Sequence, residues 1–404
     1  MLQVYVRPAW ALLGGVCTAL YFGAGHYWTE TYWGGAVAGL GAALLVGAFG
    51  RLRKERGFGS TVALGVGALL LMTSRPYESA ALIVLVCAAL RPVWWRGWST
   101  STLRVALPLA ASLAIAPIVV LAYNYGVTGS ALKLPYTLHL DQYATAPLFW
   151  FQDPPAPKHF ENAALQAISE DYEKPQYKEM RSFSPMGRLG QNLMTIFATI
   201  LFDGGGLGLV PLLFIPFFQR DRTVRLFTVC AGLLMAALLV ETYLFLHYMA
   251  PLIVIGTLLT CLMLDRLWKR RKTSCSDRIL LVGVLSGLMM VGPAWRAVGA
   301  LGGHSVQLYS SGGFGFRRVE MAQTILKQPG RHVVFVHYSP AESPNVPWVV
   351  NGADIEGARL IWAHDRGAEN RKLQEYFKDR TFWYLEDKRG KVTLVPYTPA
   401  IASR

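Results

Sequence analysis

The strongest constraint on this chain is a recurrence of long apolar runs, at residues 8 to 25, 34 to 50, 60 to 74, 78 to 92, 103 to 123, 204 to 219, 224 to 246, 249 to 265 and 279 to 299, cut by short polar links. The hydrocarbon core of a bilayer takes about 20 apolar residues of helix, fewer where Gly and Ala let the bilayer thin. With 53% of residues hydrophobic and 16% charged, the apolar surface exceeds what one water-soluble core hides, so lipid is expected to cover the rest. The expectation is a polytopic α-helical membrane protein of about nine transmembrane helices with a small C-terminal α/β soluble domain.

The net charge of +14 is spread over the links rather than gathered in one basic stripe with interleaved aromatics, so it reads as topology and no nucleic acid partner is expected. RLRKER at 51 to 56, the link with Arg91, Arg96 and Arg104, the link with Arg220, Arg222 and Arg225, and DRLWKRRKTSCSDR at 265 to 278 are basic, hence cytoplasmic by the positive-inside rule. The segments between them, HYWTETYW at 26 to 33, SRPY at 74 to 77, the loop 124 to 190 and the HY turn at 247 to 248, carry no basic excess and face outward. This scheme places the N-terminus in the cytoplasm and the terminal domain on the non-cytoplasmic side of the membrane. Residues 1–300 form the transmembrane domain, including outer loop 124–190, and 301–404 the extracytoplasmic domain. Residues 190 to 202 fit either an interfacial or re-entrant segment or an ordinary helix bent through the glycines at 204 to 206. MLQVYVRPAW runs straight into an apolar stretch without a cleavable leader, so the first helix is expected to serve as its own insertion signal.

Cys17, Cys87, Cys230, Cys261 and Cys275 lie in apolar runs or a basic link, which implies neither a disulfide framework nor a zinc site. Without HExxH, clustered Cys and His, or DxD, no tightly ligated metal is indicated, and a loosely bound divalent cation stays open. In the terminal domain, helical patterns near 316 to 328 and 368 to 378 alternate with strand-like runs at 332 to 338, 348 to 351, 358 to 364, TFWYLE and KVTLVPY. No dinucleotide or phosphate loop and no Ser-His-Asp set accompanies them.

Ionisable residues gather at the ends of runs assigned to the outer face: His26 and Glu30, Arg75 and Glu78, Glu241 and His247, with Asn124, Lys133, Tyr136, His139, Asp141, Gln142 and Tyr143 in the loop. Charge in lipid is costly, so such a set suits a polar cavity at one leaflet. SRPYE at 74 to 78 is either an ion pair closing a tight turn or an arginine that grips a phosphate. HYMAP at 247 to 251 is either an interfacial aromatic belt or a phosphate or hydroxyl ligand. Glu241 is the deepest acid, a structural hydrogen-bond partner or, in a transporter, a proton carrier. Glu30 is the one first-loop acid that could act as a general base, although a lone Glu among TETYWGG is more often interfacial.

TYWGG at 31 to 35, SRPYE at 74 to 78, YNYGVTGSALKLPYTLHLDQYATAPLFWF at 123 to 151, HYMAP at 247 to 251 and GRHVVFVHYSP through WVVNGADIEGARLIWAHD at 330 to 365 together resemble bacterial members of the C-type glycosyltransferase superfamily, relatives of the protein mannosyltransferases and aminoarabinose transferases. The resemblance covers nearly the whole chain. It implies transfer of a sugar from a polyprenyl-phosphate carrier to a lipid or glycan acceptor of the cell envelope at the outer face, with a first-loop carboxylate as base. The family's Asp-Glu motif between its first two helices has no match here, where HYWTETYW resembles a later loop. Two N-terminal spans are therefore expected to be missing, leaving Glu30 as the only first-loop acid. By this resemblance Arg75, His247 and Tyr248 bind the carrier phosphate, and Tyr136, Asp141, Gln142 and Tyr143 bind sugar or acceptor. A non-catalytic subunit that binds lipid carrier or envelope glycan is the main alternative. A transporter is the second, and it would show internal repeats and midplane polar residues.

Overall fold

The structure is a computed structural model that describes residues 1–22, 28, 33–54, 57–95, 100–156, 158–160, 166, 168–199, 209–269, 274–301, 314–338, 348–388 and 391–398. It divides into two compact units, Met1–Ala156 with Gln176–Val306, and Pro157–Pro175 with Gln307–Arg404.

The first unit is helical. Its helices are α1 (Pro8–Phe22), α2 (Gly35–Lys54), α3 (Phe58–Ser74), α4 (Pro76–Trp95), α5 (Thr100–Thr128), α6 (Pro135–Tyr143), α7 (Lys174–Ser182, which begins at the edge of the second unit), α8 (Pro185–Ala198), α9 (Leu209–Phe218), α10 (Arg222–Leu238), α11 (Ala250–Trp268) and α12 (Cys275–Leu301). Local chemistry sets several ends. Asp221 caps α10 by accepting from the N–H groups of Thr223 at 2.8 Å and Val224 at 3.3 Å. Ser184 caps α8 in the same way, with Pro185 pre-set for the first turn. Arg51, Arg53 and Lys54 close α2, where cations suit the negative end of the helix dipole.

The expectation of about nine transmembrane helices is not met. Among the described residues, two helical stretches are long and apolar enough to cross a membrane by length and composition, Gly35–Lys54 and Leu246–Trp268. The run at 8 to 25 yields 15 described helical residues, which at 1.5 Å per residue span about 22 Å of a core roughly 30 Å thick. The run at 60 to 74 yields 17 residues, and the run at 204 to 219 yields 10 described residues with Pro216 inside. The run at 224 to 246 stops being helical after Leu238, and that at 103 to 123 carries Pro108 and Pro117 within its helix. Apolar composition states how much surface has to be hidden, not how far a helix continues. It does not state what hides it either: 89% of the most apolar window in Leu246–Trp268 is buried against other helices. Residues 190 to 198 form the end of α8, and residues 200–208, with the glycines at 204 to 206, lie outside the described set.

Helix packing relies on glycine where backbones approach. A Cβ on Gly67 of α3 would lie 2.8 Å from the Gly41 carbonyl oxygen of α2, so no side chain fits without parting the two helices. Gly67→Leu is expected to cost about 2–3 kcal/mol through overpacking, read as a lowered thermal midpoint of the purified protein. An unchanged midpoint would mean the helices separate freely. The outward surface of the helices is also apolar. Leu12, Val16 and Leu20 of α1, Val62 and Val66 of α3, and Leu280, Val284 and Leu288 of α12 are exposed at four-residue spacing, so each set forms one stripe. Large apolar stripes of this kind are unusual on a water-exposed protein and mark a surface that something covers.

At the end of the helical unit that carries the α2 and α11 C-termini, Asp265 of α11 has a fully buried side chain and takes three cations: Arg7 Nε at 2.6 Å, Lys269 Nζ at 2.6 Å and Arg266 Nη1 at 3.1 Å. Arg266 also donates through Nε to Asp221 at 2.9 Å. The N-terminal strand of chain, the start of α10 and the end of α11 are thus held by one charge network. Lys54 adds a hydrogen bond to the Val4 carbonyl, and Tyr5 donates to the Val46 carbonyl at 2.6 Å.

The second unit holds a four-stranded mixed sheet, order β2-β1-β3-β4, with β1 (Arg331–Tyr338), β2 (Leu360–His364) and β3 (Arg380–Lys388) parallel and β4 (Lys391–Pro396) antiparallel to β3. Alternation along β1 divides two cores. Val334 and Val336 pack with Trp348, Trp362, Leu385 and Ile325 of α13 (Phe314–Leu326), whereas Val333 and Phe335 pack with Ile361 and Phe377, just past α14 (Asn370–Tyr376). The run at 348 to 351 is not a strand. Trp348 is pulled into the core, its ring N–H donating to Asp387 at 3.0 Å. The Asn351 side chain then pairs with both the N–H and the carbonyl of Trp362, each at 2.8 Å. An amide side chain therefore covers the edge of β2 that another strand would have taken.

Candidate functional site

Among the described residues of the helical unit, a buried polar group forms where α3 passes into α4 and where the chain breaks between α10 and α11. Proline at 76 starts α4 immediately after Arg75, so Arg75, Glu78 and Ser79 share the first turn. Past Leu238 the chain runs non-helically, and Thr242 N–H bonds to the Leu148 carbonyl at 2.8 Å while Phe149 and Glu241 form an isolated antiparallel bridge. A 3-10 turn, Leu246–Met249, then carries His247 and Tyr248 into α11.

Arg75 organises these parts. Its guanidinium lies 4.0 Å from the centre of the Tyr248 ring, donates to the Trp33 carbonyl at 3.1 Å and stands 3.8 Å from the Glu78 carboxylate. His247 packs between Trp33, at 5.1 Å, and Phe245, at 5.6 Å. Glu78, Ser79, Glu241, Thr242 and His247 are all buried. The two carboxylates repel each other, and Arg75 attracts both. Four buried atoms here, Arg75 Nε, Ser79 Oγ, Glu241 Oε2 and Thr242 Oγ1, have no hydrogen-bond partner among the described residues. Unsatisfied buried polar atoms are costly and uncommon, so four in one place single this cluster out as a candidate site.

The other expected site residues are spread more widely. Tyr136 is half exposed and within electrostatic reach of the Tyr248 hydroxyl. Asp141 pairs instead with Lys133 at 2.8 Å on an exposed face, Tyr143 stacks near His139 at 5.3 Å, and Gln142 is exposed on α6. Glu30 and His26 lie outside the described residues. No group of three or more His, Cys, Asp or Glu among the described residues is placed to hold a metal ion.

Two features escaped the sequence reading. One is a groove of about 790 Å³ between α1, α2 and α11, lined by Gly15, Ala19, Ala36, Gly39 and Ala43 with Ile253 at its side. Small residues spaced a turn apart leave such a channel, and their spacing in the sequence was the available signal. The other is at the carboxyl ends of β1 and β2, where Asp365, mostly buried, accepts from His337 Nδ1 at 3.0 Å, Asn370 Nδ2 at 2.6 Å and the Gly367 N–H at 3.1 Å. A carboxylate can only accept, so His337 carries its proton on Nδ1. Burial, with the Asp365 and Glu386 carboxylates near, pushes the neighbouring Tyr384 hydroxyl up to about 12.

No family model matches this chain, and no curated protein or solved structure does either. The functional argument accordingly rests on the residues themselves.

Proposed function

We propose that the chain is a bacterial inner-membrane protein that binds a polyprenyl-phosphate-linked sugar and takes part in passing the sugar to an envelope acceptor. The observation that carries this reading is the buried Arg75–Glu78–Glu241–Tyr248 cluster with its four unpartnered polar atoms. An amphiphile with a charged, hydroxylated head and a long apolar tail needs this combination: a guanidinium for phosphate, carboxylate and hydroxyl groups for sugar hydroxyls, and an apolar channel for the tail. The groove lined by Gly15, Ala19, Gly39 and Ala43 suits the tail, and the outward apolar stripes of α1, α3 and α12 suit lipid.

In such a transfer the acceptor hydroxyl oxygen bonds to the anomeric carbon as the bond from that carbon to the phosphate oxygen breaks. The carrier phosphate leaves, and the hydroxyl proton passes to a carboxylate. Glu241 and Glu78 are the acids that the described cluster offers for that last role. No firmly held cofactor is part of this reading; a divalent cation would be held loosely, by a single carboxylate through its water shell.

The test is direct binding by the purified full chain in lipid nanodiscs, with a polyprenyl phosphate compared against the polyprenol of the same length. Saturable binding of the phosphate, with the alcohol about tenfold weaker or more, is the expected result. Equal binding of both, or none, would overturn the reading.

A further inference from the structure

Two cysteines and a methionine from three helices are placed around one stripe of α1 in the helical unit, apart from the Arg75 cluster. Cys17 of α1 donates its thiol to the Met290 thioether of α12 at 3.3 Å. Cys261 of α11 arrives from the third side. Its Sγ sits where a side chain on Gly14 would have to go, 2.5 Å from an ideal Cβ at that position. Gly14 is one turn before Cys17, so the missing side chain lets Cys261 lie against the same stripe of α1 that bears Cys17. Both cysteines are fully buried and reduced, and Met290 is partly buried beside them.

We propose that Cys17, Cys261 and Met290 form a site for a soft monovalent metal ion, Cu(I). Thiolate and thioether sulfur are the donors that select Cu(I), whereas Zn²⁺ takes four ligands and gains little from a thioether. No set of three His, Cys, Asp or Glu is assembled among the described residues, so the third donor is the thioether and the site is short of the ligands that harder ions require. Binding involves no change of oxidation state. One thiol releases its proton to solvent as its sulfur bonds the metal, and the second thiol and the thioether add their lone pairs. One positive ion and one thiolate leave the complex neutral, which an apolar core tolerates far better than a net charge.

The test uses the purified full chain under anaerobic conditions in a Cys275→Ser background, which removes a thiol that is exposed among the described residues. Cu(I) is supplied as its bicinchoninate complex, so the competitor sets the affinity scale. The expected result is about one equivalent of Cu(I) retained by the protein, with affinity falling at least ~10-fold in Cys17→Ser and in Cys261→Ser. Met290→Leu, which keeps the side-chain volume and hence the fold, should weaken binding without abolishing it. Cys230→Ser, which alters a buried thiol elsewhere in the core, should bind as the parent does. Failure of the parent to retain Cu(I), retention by the Cys17→Ser, Cys261→Ser double variant, or Zn²⁺ binding as tight as Cu(I) would each overturn the proposal. Near-ultraviolet circular dichroism of each variant separates lost ligands from lost folding. The outcome does not depend on whether the chain binds a lipid carrier.

Discussion

Arg75→Ala is expected to weaken binding of a polyprenyl phosphate by about 30- to 150-fold, the equivalent of roughly 2–3 kcal/mol for a lost charge-assisted contact. Three observations set the size of this effect. The guanidinium is mostly buried, so its attraction for a phosphate is weakly screened. It is held flat against Tyr248 and by the Trp33 carbonyl, so little side-chain freedom is lost when it engages a ligand. Removing it also takes away the positive charge beside the buried Glu78. Arg75→Lys keeps the charge but loses the planar stacking on Tyr248, and it should fall between the parent and the alanine variant. Isothermal titration in nanodiscs gives the affinities, and the thermal midpoint of each variant shows whether the cluster still folds. Wild-type affinity in a folded Arg75→Ala protein would remove Arg75 from the site.

The second large effect is on stability. Asp265→Ala is expected to destabilise the helical unit by about 3 kcal/mol, toward the lower end for a broken buried ion pair because Arg7 and Lys269 reach water and can be resolvated. The loss should appear as earlier denaturant unfolding, accompanied by faster amide exchange over residues 2 to 6, which Arg7 ties down from the adjoining position. Asp221, the other acid of the network, is opposed by burial, yet its bonds from Arg266 and from the Thr223 and Val224 N–H groups hold it below the usual carboxylate range. A carboxyl depressed in the folded state stabilises above its unfolded pKa of about 3.9 and loses that contribution as pH falls through the folded value. The network should therefore be intact at neutral pH and fail only in acid. A variant as stable as the parent would mean that the three cations contribute nothing through Asp265.

The sequence was legible where one local rule decided the outcome. Val333 to Val336, alternating between two cores, read correctly as a strand, and the Arg75–Glu78 pairing could be seen from SRPYE alone. Where distant residues decide, the reading failed. WVVN has the composition of a strand, but Trp348 is drawn inward by Asp387 and Asn351 uses its side chain for the edge contact. The run at 224 to 246 is apolar throughout and yet breaks after Leu238, because Leu148, Trp150 and Asn192 offer its backbone partners outside the helix. Hydropathy records neither tie, and this is also why the count of spans exceeded what the helices provide. Asp141 and Tyr143 share an apparent motif with Tyr136, yet Asp141 turns to Lys133 and Tyr143 to His139.

The break between α10 and α11 has a mechanical consequence. The carbonyl of Leu239 accepts from both Trp150 Nε1, at 2.9 Å, and Asn192 Nδ2, at 3.0 Å, and that same asparagine donates to the Glu241 carbonyl at 2.9 Å. The backbone at Glu241 is thus held by two segments remote in sequence, 148 to 150 and α8, rather than by a helix of its own. If loosening residues 148 to 150 changes affinity for a molecule held at Glu241, reciprocity requires that molecule to stiffen residues 148 to 150 by the same free energy. The segment 148 to 150 is thus the part of the fold whose backbone contacts hold the break beside the cluster.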